Sequence, residues 1–420
     1  MPFRIALAVR ACVVGGAISG LVGSVAAPVS AQSLVGRPFE DVVRYLGSPD
    51  PKLRVEAMRT LALTAHPDAI GPIARLAADP VDAIQLEALE TLLRFYLSEV
   101  PTGTKRVAGV FETGRKDPGE AAFAIGPYQL LPRAVPEALK DGLAKAMRDD
   151  QARVRREATW TLGAIVPPPA GGAAEASLAA NLRDPDESVR AAAARVAGAV
   201  RAASLGDALV AAMNDPREDV QLAAMRALGD IGEKRASRAL RERFVHDQRG
   251  PGAEAALDGL ARLADPASQP VFFEQVGSKD ADLRRAAFEG LARLGDVAAI
   301  RAVEARTEGE RDRTVRLARA FALARDAGRG LPELTAALGD DRRAEQVMAY
   351  LVELGRPHVK ALLPKLADPD VPTRGRVVQV FGIVGGPDAL QALEPTTRDP
   401  DPVVARAAEH AIARIRLIGR

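Results

Sequence analysis

The feature that most constrains this chain is a unit that recurs about every 31 residues. Residues 184–232 show it twice: DPDESVRAAAARVAGAV, a link into ASLGDALVAAMND, then PREDVQLAAMRALGDIG. Asp184-Pro185 returns as Asp215-Pro216, and the residues between follow one plan. An acidic turn opens a helix, a Val-Arg or Val-Gln pair follows five and six residues on, small residues come next, and a second helix leads to the next turn. One such unit cannot bury its own apolar stripe, so it needs a copy on each side. The spacing therefore predicts an all-α superhelical solenoid.

Turn residues fall at Ser48, Asp79, Asp149, Asp184, Asp215, Asp247, Ser278, Glu310, Asp341, Asp368 and Asp399, giving about eleven two-helix repeats. Counting from each, offset +5 is usually Val or Leu (Leu53, Val154, Val189, Val220, Leu283, Val315, Val404). Offset +9 is often Ala (Ala57, Ala88, Ala158, Ala193, Ala224, Ala287), which lets helices approach closely. Offsets +12, +13 and +16 continue the stripe at helical spacing. The turn residue is expected to cap the helix after it, with proline tolerated in the first turn, and Gly229 and Gly232 to end that helix. The other helix of each unit reads as shorter, for example over 205–213 or 359–366. With aromatic residues only 4% of the chain, Ala, Leu, Val and Ile must make the core.

These residues resemble the HEAT repeat family, particularly the short repeats also seen in phycobilin lyases. The matching features are the turn Asp, the Val154-Arg155, Val189-Arg190 and Val315-Arg316 pairs, the small Ala positions and the Leu228-Gly229 ending. The resemblance covers residues 36–418 and implies a scaffold for partners. It also implies a ladder in which the turn Asp and the +6 Arg join adjacent repeats. Gln85, Gln221, Ala253, Val347 and Ala405 replace that Arg, so the ladder is expected to have gaps.

Residues 1–31 read as a secretory signal peptide. Arg4 and Arg10 precede the uncharged run Ala11 to Ala27, and Val29-Ser30-Ala31 fits a cleavage site. The alternative is an uncleaved anchor, but Gly and Ser break the run. Cleavage would put the mature start at Gln32 and remove Cys12, the single cysteine, leaving 55 basic and 55 acidic residues. A neutral, exported chain is a poor candidate for nucleic acid. No later segment is long and apolar enough to span a membrane, so the expected location is the periplasm or the cell exterior.

The chain then divides into N-terminal repeats over 32–97, an aromatic-containing insertion over 98–135, and the main solenoid over 136–420. Phe111, Phe123 and Tyr128 lie in the insertion and Phe95 and Tyr96 just before it. The insertion is expected to pack on the solenoid or to be a decayed twelfth repeat. The run Pro167-Pro168-Pro169 reads as a stiff link.

His66, His246, His358 and His410 are scattered through different repeats, and neither a catalytic motif nor a phosphate-binding loop is present. No cofactor or metal is implied. The expected function is a non-catalytic protein-binding scaffold with partners in the cell envelope. The alternative is an enzyme or ligand carrier with a site under the insertion. For partner contact, helical geometry points to offsets +7 and +11, away from the buried stripe, on what the resemblance makes the concave side. Two zones stand out there: Trp160, Arg195 and Arg226, and Leu317, Phe321, Met348 and Val352. Trp and Arg favour binding hot spots, and a bare apolar cluster favours a contact surface. Superhelical twist could instead bury part of this row.

Overall fold

A computed structural model describes residues 34–97, 118–126, 130–304, 307 and 309–418. The signal region, the cleavage site, Phe111 and Tyr128 lie outside these residues. Helices dominate, and each repeat pairs an outer with an inner helix. In order the chain forms α1 (Phe39–Tyr45), α2 (Pro51–Thr64), α3 (Ile70–Arg75), α4 (Asp82–Tyr96), α5 (Pro118–Ile125), α6 (Glu137–Ala146), α7 (Ala152–Ile165), α8 (Gly172–Asn181) and α9 (Glu187–Ala199). It continues with α10 (Gly206–Ala212), α11 (Glu218–Asp230), α12 (Ser237–Asp247), α13 (Pro251–Leu263), α14 (Gln269–Gln275), α15 (Ala281–Leu294) and α16 (Val297–Glu304). Then come α17 (Arg313–Ala324), α18 (Leu331–Ala336), α19 (Ala344–Leu354), a 3₁₀ segment (Arg356–Ala367), α20 (Val371–Val384), α21 (Pro387–Thr396) and α22 (Pro402–Ile418). Outer elements are the shorter ones, as the sequence predicts.

The core is the stack itself. Ala57, Ala88, Ala158, Ala193, Ala224 and Ala287 at +9 are all 0% exposed, so the small residues sit where inner helices meet. The helix ends carry a correction. Gly232, at +17, does stop its helix in a left-handed conformation, and the same offset has positive φ at Ala65, Arg201, Ala264, Gly295, Ala327 and Gly385. Gly229 does not. It lies inside α11, where a Cβ would come within 2.8 Å of the Gly259 carbonyl oxygen.

The capping assignment is also displaced by two residues. In most repeats the cap is the residue two after the turn: Asp186 accepts from the Ser188 and Val189 amides, and Asp50, Asp280, Asp312, Asp370 and Asp401 act likewise. The turn residue supports the cap from behind, as Asp184 does by accepting from the Asp186 amide at 2.9 Å. Only a residue directly before the first helical turn can reach its free amides. Pro185 and Pro216 accordingly precede the helix.

The ladder is present. Arg155 grips Asp184 through two bonds of 2.6 and 2.7 Å, and its third nitrogen donates to the Asp149 carbonyl of its own turn at 2.9 Å. Arg190–Asp215, Arg284–Glu310 and Arg374–Asp399 repeat this geometry, and Arg54 meets Asp79 at 3.0 Å. Gln85, expected to be a gap, donates to Asp149 at 2.8 Å. Where Gln221 stands, Arg243 from α12 neutralises Asp247 at 2.6 Å. Arg316, expected to be a rung, pairs instead with Glu333 at 2.8 Å.

That exception marks a slipped frame. Buried Ala344, Val347, Met348 and Leu351 in α19 repeat the spacing of Val220, Ala223, Ala224 and Ala227 in α11. Met348 therefore stands where Ala224 does, and the repeat assigned to Asp341 begins two residues earlier than the turn residue suggests. Three turn residues precede α19 there, so the acidic dipeptide Asp340-Asp341 misleads the alignment.

Candidate interaction surface on the concave face

The inner helices face a concave side, because side chains two repeats apart meet across it. The Tyr350 hydroxyl on α19 donates to Glu289 on α15 at 2.6 Å, and Arg293 reaches Glu353 at 2.9 Å. A convex face would splay such groups apart.

At α7 this face is covered by the chain's own insertion. Helix α5 lies on α7, with the Phe123 ring 5.0 Å from the Trp160 ring and the Gly119 amide donating to Glu157 at 2.9 Å. Gly163 makes room: a Cβ there would sit 2.8 Å from the Phe123 ring. The described part of the insertion thus packs on the solenoid, as its aromatic content predicts. Trp160 is only 3% exposed, so it anchors α5 rather than facing solvent. Arg195 stays exposed, its guanidinium 5.9 Å from the Trp160 ring centre and 3.7 Å from Glu120. Beside them opens a cavity of about 340 Å³ that Trp160, Arg195, Arg156 and Glu187 help to line.

The second zone is not a bare apolar patch. Phe321 is fully buried, Leu317 and Met348 nearly so, and only Val352 is half-buried. Phe321 stacks on Tyr350 at 4.5 Å, and the Arg293 and Arg325 guanidiniums lie 5.8 and 5.5 Å from its ring centre. Cations thus close over the apolar row at this point. Arg293 comes from the preceding inner helix α15 and Arg325 from the end of Phe321's own helix, a convergence that no reading of one helix face anticipates.

Around this floor runs a chain of ion pairs. Arg226 approaches Asp258 at 3.5 Å; Arg285 joins Asp258 at 2.9 Å to Glu289 at 3.0 Å; Arg293 joins Glu289 at 3.2 Å to Glu353. Burial alone would raise the Glu289 carboxyl, but Arg293, Arg285 and the Tyr350 hydroxyl outweigh it and hold it below the ordinary range. The Tyr350 hydroxyl is pushed well above its usual value by burial and by Glu289. Tyr350 therefore acts as a neutral donor, and the network is a fixed polar framework.

Sequence reasoning overlooked a second arginine row, although the signal was in the repeat. Offset +15 is Arg at 94, 262, 293, 325 and 414. Arg262, Arg293 and Arg325, with Arg201, Asp230 and Glu353, line an open cavity of about 720 Å³ on the concave face. Val352 lies in its wall. Among the described residues two carboxylate groups have metal-like spacing, Asp82 with Asp149 and Asp150, and Glu254 with Asp280 and Asp282. Gln85 and Gln151 donate to Asp149 and Asp82, and Asp280 caps α15, so fold contacts account for both clusters. No helix among the described residues is long and apolar enough to cross a membrane.

The HEAT repeats family matches residues 175–251, 249–324 and 331–413, more than half of the chain. No curated protein matches. Among solved structures, an engineered protein is 19% identical over 90% of this chain and 98% of its own, with a TM-score of 0.41. The CpcE–CpcF complex of phycocyanin lyase from Nostoc sp. PCC7120 is 18% identical over 79% and 99%, with a TM-score of 0.35. Kap95p, in a complex with RanGDP, is 16% identical over 90% of this chain and 50% of its own, with a TM-score of 0.35.

Proposed function

The chain belongs to the HEAT repeat family, and from that premise we propose that it is a non-catalytic scaffold that holds a protein partner on its concave face. The observation that supports this most directly is the seating of α5. A short helix with one aromatic residue over a glycine and an acidic residue toward Arg195 already lies on the inner helices. The same face continues past it toward Arg201, Arg262 and Arg325, and a partner segment would use that surface.

We further propose that the scaffold works in the periplasm or outside the cell, after loss of residues 1–31. The basic start, the apolar run and Val29-Ser30-Ala31 support this.

One experiment addresses both. The exported form, purified from the envelope, begins at or near Gln32 on N-terminal sequencing, and it carries no cysteine. A single cysteine bearing a photo-cross-linker at position 195 gives a discrete protein adduct in envelope extract. The same label at Val245, exposed on outer helix α12, does not. An intact Met1 form in the membrane fraction overturns the export proposal. Equal labelling from both faces, or none, overturns the scaffold.

A further inference from the structure

The 720 Å³ cavity has a surplus of positive charge. Arg201, Arg262, Arg293 and Arg325 face Asp230 and Glu353 across it. Adding the pairs beneath, with Arg226 and Arg285 against Asp258, Glu289 and Asp282, still leaves six guanidiniums to five carboxylates. Glu353 is shared by Arg293 at 2.9 Å and Arg325 at 3.4 Å, and Asp230 is taken by Arg262 at 2.5 Å. Arg201 has no ion-pair partner among the described residues and is exposed at the cavity edge.

Arg201 is also unusual in its backbone. It occupies +17, the left-handed position filled elsewhere by Gly or Ala, with φ at 50°. A long side chain is disfavoured there, and nothing in the packing of the repeat requires one. Its guanidinium is free to meet a ligand.

We propose that this cavity binds an acidic, extended segment of a partner protein, its carboxylates seated on the arginines. The assignment rests on the scaffold reading and names the chemistry of the partner. Guanidinium forks match carboxylates in pairs, and Arg293 and Arg325 are held part-buried in the concave wall. Inner helices of successive repeats lie about 10 Å apart, and an extended chain rises about 3.3 Å per residue. An Asp or Glu at every third position therefore keeps step with the repeats.

The test uses the mature protein and a fluorescent 13-residue peptide with Asp at every third position and Gly or Ser between. Anisotropy is expected to show binding that weakens steeply with salt. A peptide of the same composition with its acids clustered binds less well. Arg201→Gly suits the left-handed backbone, so its melting temperature stays equal or rises while affinity falls about tenfold. Arg238→Gln, on the outer helix α12, changes nothing.

The proposal is overturned if the peptide does not bind, or binds Arg201→Gly and Arg325→Gln as it binds the parent. Citrate binding as tightly as the peptide makes this a small-anion site and also overturns it. A failed titration beside an intact adduct from position 195 ends the acidic-segment assignment and leaves the scaffold reading standing. A missing adduct beside a successful titration does the reverse.

Discussion

Phe321 shows how a residue's role changes once its neighbours in space are known. On its own helix it extends the row that carries Arg226 and Glu289, and the row reads as solvent-facing. In the fold it is 0% exposed, stacked on Tyr350 and roofed by Arg293 and Arg325. Phe321→Ala is therefore expected to cost about 3–5 kcal/mol in urea melts. A loss below about 1 kcal/mol would return it to the surface class. The reason is curvature: on a concave face, side chains from α15 and α19 converge over α17 and exclude water from it.

At the scale of the element, turn, cap and rung form one device. The turn carboxylate holds the cap amide, the cap holds the helix amides, and the preceding repeat's Arg ties the turn to its own loop carbonyls. Arg284 and Arg374 hold the Glu310 and Asp399 carboxyls below the ordinary carboxylate range. Burial opposes this at Asp215, but Arg190 and the Arg217 amide outweigh it. A carboxyl depressed in the fold stabilises it above the unfolded pKa, about 4, and that stability is lost as pH falls through the folded value. The urea midpoint is thus expected to be flat above about pH 5 and to fall below about pH 4. Arg190→Ala and Arg374→Ala should lower the neutral midpoint and flatten the acid limb. An acid limb as steep as the parent's places its source outside the ladder.

At the scale of the molecule, the solenoid returns on itself. Arg414, in the last helix, donates to the carbonyl of Leu130, near the end of the insertion. The same short segment is tied to the first repeats. Arg133 donates to the Ala65 carbonyl at 3.0 Å, and the Tyr96 hydroxyl to the Ala134 carbonyl at 2.8 Å. Burial without a facing carboxylate lowers the Arg414 pKa, so this guanidinium depends on its carbonyl partner. Arg414→Ala is expected to open the superhelix, seen as a longer maximum dimension in small-angle scattering with unchanged helical content. An unchanged dimension means that the stacking of the repeats alone sets the curvature.

The sequence by itself determined the repeat, its two-helix content and the positions that touch between neighbours. Those interactions are local in a solenoid: Val189, Ala193 and Arg190 meet residues one unit away, so their spacing survives as a period. It also carried the arginine row at +15, as a signal overlooked beside the stronger pattern at +6. Only the tertiary structure decided which of the inward-pointing residues meet solvent. Trp160 is hidden by a helix from the insertion, Phe321 by Arg293 and Tyr350 of the repeats on either side, and Leu130 meets an arginine 284 residues later. Curvature and closure sum small rotations over many repeats, and no single repeat's sequence contains that sum.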